Sequence, residues 1–102
     1  DMLLTPTNAQ PAWKLGDMDA NKPGWDLMSW THHLFSFCPF TLLFNATGHP
    51  AASLPLAMSS GGLPIGLQFV GQWGREDMLF QLSGQLEEAR PWIDRKPGVC
   101  VA

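Results

Sequence analysis

The chain has 102 residues, of which 45% are hydrophobic and 15% charged, and its formal net charge is −3. This length suits one small domain. The charged fraction lies below the ~25% of ordinary globular chains, which indicates that much of the surface contacts something other than water. The absence of a Lys or Arg cluster argues against a nucleic-acid or anionic-membrane partner. No apolar run approaches the ~20 residues of a membrane helix, and no signal peptide is evident.

The two cysteines limit the class of protein further. Cys38 and Cys100 are too few and too different in setting for a disulfide framework or a zinc site. We therefore expect a reducing, cytoplasmic location. The chain begins at Asp1 rather than Met, which leaves open that it is part of a longer protein.

The first third of the chain is predicted to contain a strand, a long loop and a helix. Residues 1–6 (DMLLTP) are predicted to form a short buried strand ended by proline, and residues 7–24 are rich in turn-forming residues. Apolar residues at spacings of three and four predict a helix over 25–37. Pro39 ends this helix because the residue before a proline avoids the helical region.

The next part of the chain, residues 38–50, is predicted to hold a short helical piece, and a β-hairpin follows over 51–71. The helical piece covers 40–45. In the hairpin, Ser59–Gly62 supplies the reversal because glycine allows the positive φ that such turns need. Pro55 cannot donate to a sheet ladder, so it marks an edge or an irregularity. Side chains of the second strand alternate between two faces: Ile65, Leu67 and Phe69 on one, Gly66, Gln68 and Val70 on the other.

The clearest predicted helix covers residues 75–90, and a tail over 91–102 follows it. Glu76 and Asp77 lie in its first turn and Arg90 in its last, which suits the helix dipole. Gly84 inside the helix costs about 1 kcal/mol relative to alanine. One face carries an apolar stripe at helical spacing, formed by Met78, Leu79, Leu82, Leu86 and Ala89.

These elements leave more apolar surface than they can bury among themselves. Five Trp and six Phe in 102 residues are best explained if most of them pack against neighbours outside the chain. The pattern therefore predicts the end of a larger α/β domain.

The residues alone contain no complete active site. No serine lies in a Gly-x-Ser-x-Gly turn. His32 and His33 diverge by about 100° on a helix and cannot share a metal, and His49 is interpreted as a loop residue. The acidic residues of the last helix are typical of a solvated face, and Cys38 lies among phenylalanines as a small hydrophobe is expected to.

Four stretches in order give the sequence a resemblance to a known family. They are residues 1–7 (DMLLTPT), 39–55 (PFTLLFNATGHPAASLP), 62–71 (GLPIGLQFVG) and 76–92 (EDMLFQLSGQLEEARPW). Together they cover 51 of the 102 positions, and the most specific part is Asn-x-x-Gly-x-Pro followed by GLPIGLQFVG. The sequence resembles the C-terminal part of the amidase signature family.

The resemblance implies an α/β fold in which helices cover a large mixed sheet, and a serine amidohydrolase activity on C–N amide bonds. The family uses a nucleophilic Ser, a bridging Ser and a Lys, in segments that lie before the matched stretches. The resemblance therefore implies that this chain contributes no catalytic residue, that it is not an autonomous domain, and that neither a metal nor an organic cofactor is needed.

The resemblance also places a substrate-pocket wall in this chain. In glutamine-using transamidosome members, an acidic residue before the Asn-x-x-Gly-x-Pro motif binds the amino-acid end of the substrate. Counting back from Asn45, Cys38 occupies that position, so the counter-charge for an ammonium group is absent. We expect an aryl, alkyl or ω-amino-acid amide as substrate, with apolar walls formed by Phe37, Cys38, Phe40, Thr41 and Phe44. The alternative is that these aromatic residues only fill the core.

The expected partners are the remainder of the amidase chain or a complementary subunit, together with a small-molecule amide. No nucleic-acid or membrane partner is expected, and a homodimer is one arrangement that the family uses. The alternative function is a non-catalytic binding or structural module derived from the same fold.

Overall fold

A computed structural model of the chain describes residues 1–99. The last three residues, including Cys100, lie outside the described residues. The elements, in chain order, are β1 (Leu3–Pro6), α1 (Leu27–Phe37), α2 (Thr41–Thr47), β2 (Ala51–Met58), β3 (Pro64–Val70) and α3 (Glu76–Ala89). This is an α/β arrangement, as the sequence predicts. None of the helices within residues 1–99 has the length and apolar character needed to cross a bilayer.

The three strands form one sheet in the order β1-β3-β2, and both pairings are antiparallel. Gln68 of the central strand lies opposite Thr5 on one side and Ser53 on the other. Residues directly opposite each other in an antiparallel pair share a face, and side chains alternate along each strand. One face of the sheet therefore carries a row of uncharged polar groups, formed by Thr5, Gln68 and Ser53. We call it the polar face.

Gly66 lies on the polar face between two hydroxyl groups. The Oγ atoms of Thr7 and Ser53 hydrogen-bond to each other, and the Thr7 N–H donates to the Gly66 carbonyl over 2.9 Å. A Cβ atom at position 66 would lie 2.7 Å from each of the two hydroxyl oxygens. Glycine at this position is therefore required by the approach of two neighbouring strands, not by its backbone angles.

The β2–β3 hairpin has a tight turn and one irregularity. In the turn, the Leu63 N–H donates to Ser59 Oγ over 3.0 Å and Gly62 has φ +79°. The register shifts between Leu54 and Ala57, the stretch that contains Pro55. The carbonyl of Pro55 accepts a 2.8 Å hydrogen bond from Arg95 Nη1, so the tail after α3 is tied to the irregular part of the edge strand.

Helix α1 begins two residues later than its apolar spacing predicts, because Asp26 is its N-cap. The Ser29 N–H donates to Asp26 Oδ1 over 2.7 Å, and the Asp26 N–H donates to Ser29 Oγ over 3.0 Å. These reciprocal bonds satisfy two backbone donors that the first turn leaves unpaired. Trp25, which the spacing alone includes in the helix, lies outside it.

Helix α2 extends two residues beyond the predicted helical piece. It ends at Gly48, the C-cap residue, whose φ of +72° is in the left-handed region that glycine adopts without strain. The glycine turns the chain directly toward β2, so that only His49 and Pro50 separate the cap from the sheet.

Helix α3 packs one residue of its apolar stripe closely against the sheet. Leu79 is buried, and its Cγ would lie 3.5 Å from a Cβ atom at Gly71, just after β3. Met78, Leu82 and Leu86 are half-buried, whereas Ala89 is exposed. The buried apolar core within the described part of the chain consists of Leu54, Leu56, Val70 and Leu79.

A core of this size leaves many large apolar side chains uncovered. Leu3 and Leu4 of β1 are among them, so the prediction of a buried first strand is wrong for this chain. Leu27, Met28 and Phe80 each expose more than three quarters of their surface. The radius of gyration is 16.1 Å, against about 13 Å for a compact domain of 100 residues. The excess apolar surface inferred from the composition is therefore present in the structure.

We predict that the isolated 102-residue chain binds the dye 8-anilinonaphthalene-1-sulfonate strongly and melts without a sharp transition. The reason is that its exposed apolar side chains have no cover and its core is small. Dye fluorescence and calorimetry test this. A compact monomer with a sharp cooperative melt and no dye binding would contradict it.

Substitution of Gly66 by alanine is predicted to destabilise the protein that contains this chain by about 1–3 kcal/mol, the usual cost of overpacking. The new methyl group would displace the Thr7 and Ser53 hydroxyls. Denaturant unfolding measures the change. Gly84→Ala is the matched control, since nothing lies within 4 Å of a Cβ atom there, and in a helix it should stabilise by about 0.5–1 kcal/mol.

The α1 cap gives an acid-dependent contribution to stability. Hydrogen bonds from Ser29 hold the pKa of Asp26 below its ordinary value. The contribution is therefore complete above the pKa of the unfolded chain and disappears as the pH falls through the lowered pKa of the folded state. We expect Asp26→Asn to be less stable than wild type at neutral pH, with the gap closing in acid. Thermal melts from neutral to acid pH measure this gap, and one that is constant with pH would refute the assignment.

Candidate functional site

The segment that the resemblance assigns to the substrate pocket forms the corner between α1 and α2. Phe37 is the last residue of α1, and its ring packs on Trp13 with centroids 4.0 Å apart. Phe40 is the N-cap residue of α2 and is half-buried. These two phenylalanines therefore lie at the ends of consecutive helices, and Phe37 contacts the loop that precedes α1.

Cys38 is the C-cap residue of α1 and a free thiol. Its backbone N–H and its Sγ both donate to the Leu34 carbonyl, over 3.1 Å and 3.3 Å. The thiol is half-buried and engaged by the last turn of its own helix. This contact gives it a local structural function whether or not it also borders a substrate.

Two of the five predicted pocket residues line a concavity between α2 and the polar face of the sheet. Thr41 and Phe44 lie one turn apart on α2 and face this space, which has a volume of about 320 Å³. Phe37, Cys38 and Phe40 do not line it. Its complete lining is Thr41, Phe44, Asn45, Gly48, His49, Ala51 and Gln68.

The lining of this concavity contains no Asp, Glu, Lys or Arg. Its polar groups are the side chains of Thr41, Asn45, His49 and Gln68. Such a surface has no carboxylate to act as counter-charge for an ammonium group, and it offers hydrogen bonds to neutral polar ligands. Within residues 1–99, no three His, Cys, Asp or Glu side chains are grouped in a way that could hold a metal ion.

Gln68 is the buried polar residue of the site, with 4% of its surface exposed. Its Nε2 donates to Thr5 Oγ1 over 3.2 Å. The central strand thus presents an amide whose nitrogen is already engaged by the neighbouring strand. A buried polar side chain on a central strand is costly unless it is hydrogen-bonded, and Thr5 supplies the bond.

His49 is held by three neighbours, although the sequence indicated only a loop residue. Its Nδ1 lies 2.9 Å from Thr47 Oγ1. Phe44 and Trp73 contact its ring edge-on, with centroids 6.4 Å and 6.2 Å away. The Trp73 indole N–H donates to the Thr47 carbonyl over 3.2 Å, so Thr47 fixes both rings.

Sequence reasoning missed His49 because its contacts come from distant parts of the chain. Trp73 follows β3, 24 residues after His49, and reaches it only because β3 pairs with β2. The local signal available was Thr-x-His, which is too short to be informative. Similarly, Gln68 was assigned to a face but not to a site, since its exposure to a concavity depends on where α2 lies.

A second ring stack lies beside α1. His33 stacks on Trp13 with centroids 4.5 Å apart and an angle of 3° between the rings, and Trp25 lies 5.1 Å away on a tilt. Trp13 and Trp25 of the loop thus pack against His33 of α1. His33 therefore packs between the two tryptophan rings of the preceding loop.

The described chain is thus a segment of α/β architecture with a concavity beside its sheet, and the lining of that concavity contains no Asp, Glu, Lys or Arg. The amidase family profile matches residues 1–80, and the chain belongs to the amidase family. This confirms the family that the sequence stretches indicated.

Two relatives of known sequence illustrate the similarity. The chain is 44% identical over 101 residues to a 6-aminohexanoate-cyclic-dimer hydrolase of Pseudomonas sp. (strain NK87), covering 95% of this chain and 20% of that protein. It is 42% identical over 92 residues to a putative amidase AmiC of Mycobacterium leprae, covering 90% of this chain and 19% of that protein. Both alignments therefore extend over nearly all of this chain.

A solved structure of 6-aminohexanoate cyclic dimer hydrolase superposes with a TM-score of 0.85 at 40% identity. The match covers 96% of this chain and 21% of that one. The chain thus spans about a fifth of the length of the relatives that it matches. The fold described above is therefore the fold of one part of such an enzyme.

Proposed function

We propose that the chain is the C-terminal segment of a serine amidohydrolase that cleaves the C–N bond of small, fairly apolar amides. The observation that supports this most directly is the similarity over nearly the whole chain to an enzyme whose name describes hydrolysis of a cyclic dimer of 6-aminohexanoate, with 44% identity. The concavity beside α2 also supports this proposal, since its lining combines the aromatic side chain of Phe44 with neutral polar groups.

In the proposed reaction, a serine outside this chain attacks the amide carbonyl carbon through its Oγ. The proton of that serine hydroxyl passes to the bridging serine, for which a lysine is the base. A proton is then delivered to the leaving nitrogen, and the amine departs as the acyl-serine ester forms. Water then attacks the ester carbonyl, which releases the carboxylic acid and restores the serine. The lysine must be unprotonated to act as base, and burial favours that state.

The lysine and serine side chains of this chain are not assigned to the catalytic steps of that reaction. Lys14, Lys22 and Lys96 are exposed, and none of them lines the concavity. The Ser53 hydroxyl is hydrogen-bonded to the Thr7 hydroxyl, and the Ser59 hydroxyl oxygen accepts a hydrogen bond from the Leu63 N–H. We therefore assign to this chain three strands of the sheet and part of the pocket wall, formed by Phe37, Cys38, Phe40, Thr41 and Phe44.

The proposed substrates lack a charged amino-acid end. Cys38 stands where the glutamine-using members of the family carry an acidic residue, and the concavity beneath α2 contains no carboxylate. An ammonium group would lose its hydration there without gaining a counter-charge. We further propose a cytoplasmic enzyme, consistent with a free Cys38 thiol, and a homodimer as one arrangement of the whole protein.

The whole protein is expected to hydrolyse a secondary alkyl or aryl amide at least about tenfold more efficiently than glutamine, as kcat/KM, which corresponds to about 1.4 kcal/mol of transition-state binding. Purified enzyme is assayed by release of amine or ammonia. A clear preference for glutamine would contradict the proposed substrate class. No hydrolysis of any amide would favour the non-catalytic module instead.

Cys38→Asp is expected to lower kcat/KM for the apolar amide and to raise it for an amide with a free ammonium group, because the new carboxylate provides the counter-charge. Ser36→Asp is the matched control, since Ser36 is exposed near the end of the same helix and its Oγ donates to the His33 carbonyl. The same change of preference in both variants would remove Cys38 from the pocket.

A further inference from the structure

The concavity beneath α2 selects for a particular kind of ligand group. No residue of its lining carries a carboxylate, ammonium or guanidinium group. An ammonium group would be desolvated there without a carboxylate as counter-charge. A neutral group with both a donor and an acceptor matches the lining better, and an amide is such a group.

Gln68 supplies an acceptor. Its Nε2 is engaged by Thr5 Oγ1, and within residues 1–99 its Oε1 has no hydrogen-bond partner. Every fully buried side-chain nitrogen or oxygen in the described chain has a partner, so Oε1 retains contact with solvent. The concavity is the opening that Gln68 lines, and an amide N–H is a suitable donor for Oε1.

His49 supplies the complementary group. With Nδ1 held at 2.9 Å by Thr47 Oγ1, Nε2 is the ring nitrogen that has no partner among the described residues. In the tautomer in which Nδ1 accepts from the Thr47 hydroxyl, Nε2–H is a donor. Phe44 and Trp73 brace the ring edge-on from two sides, which reduces the ordering that ligand binding would otherwise require.

We propose that His49 and Gln68 bind a second, uncleaved amide group of the substrate, with Gln68 Oε1 accepting its N–H and His49 Nε2 donating to its carbonyl. This rests on the proposed function, in which the cleaved amide lies at a serine outside the chain. The substrate class is then amides with two amide groups separated by an apolar spacer. The relative's substrate, a cyclic dimer of an amino acid, contains two amide bonds by its name.

The test compares two substrates that share the cleaved bond, N-butylhexanamide and N-butyl-6-acetamidohexanamide. Only the second has another amide. The whole enzyme should favour the diamide, and His49→Phe, which keeps an aromatic ring but loses Nε2, should lower the diamide-to-monoamide ratio of kcat/KM about three- to tenfold, as expected for one hydrogen bond. His49→Gln, which restores a polar group at a similar reach, should recover part of the ratio.

His32→Phe is the matched control, because it makes the same chemical change at another histidine, in α1, outside the lining of the concavity, and it should leave the ratio unchanged. An equal loss for both substrates in His49→Phe would assign His49 to structure alone and overturn the inference while leaving the proposed function intact. Hydrolysis of neither substrate by wild type would overturn the proposed function itself. If His49→Phe does not fold, His49→Asn decides, since it keeps a polar group near Thr47 but is too short to enter the concavity, and an unchanged ratio in it would overturn the inference.

Discussion

Strand β3 forms backbone hydrogen bonds with β1 along one side and with β2 along the other, and these two ladders join distant parts of the chain. Leu3 and Ala51 both pair with Val70, although 48 residues separate them in sequence. Because of this double pairing, Thr5, Gln68 and Ser53 form one row. Gln68 of that row lines the concavity that Thr41 and Phe44 of α2 also line. The position of Gln68 and of its neighbours on the polar face follows from the register of this one strand, since a slip by a single residue would turn the row to the opposite face.

The balance of buried and exposed surface explains why this segment depends on more protein than it contains. Four residues make up the buried apolar core of the described chain, whereas side chains such as Leu27, Met28 and Phe80 are largely exposed. Burial of apolar area is the main favourable term in folding, and here much of that area is uncovered. The match covers about a fifth of the relatives' chains, so most of each of those proteins lies outside this segment.

Local sequence rules predicted the elements well where a local signal determines them. The reversal at Ser59–Gly62 and the alternation along β3 depend on neighbouring residues only. The apolar spacing predicts a start of α1 two residues too early because it includes Trp25. The capping hydrogen bonds between Asp26 and Ser29 determine where the first turn begins. The site was less predictable. Thr41 and Phe44 line the concavity, but the contribution of Gln68 and the fixed orientation of His49 depend on strand pairing and on a tryptophan more than twenty residues away.

Thr47 connects two parts of the chain that are remote in sequence. The Thr47 carbonyl accepts a hydrogen bond from the Trp73 indole N–H, and the Thr47 hydroxyl is hydrogen-bonded to His49 Nδ1. These two hydrogen bonds connect the turn after β3 to the end of α2. A substitution of Trp73 in the turn Gly71–Gly74 would consequently remove one of the two aromatic contacts of the His49 ring, although 24 residues separate the two positions in sequence. The turn after β3 therefore contributes to the surroundings of a residue that lines the concavity, although no residue of the turn lines it.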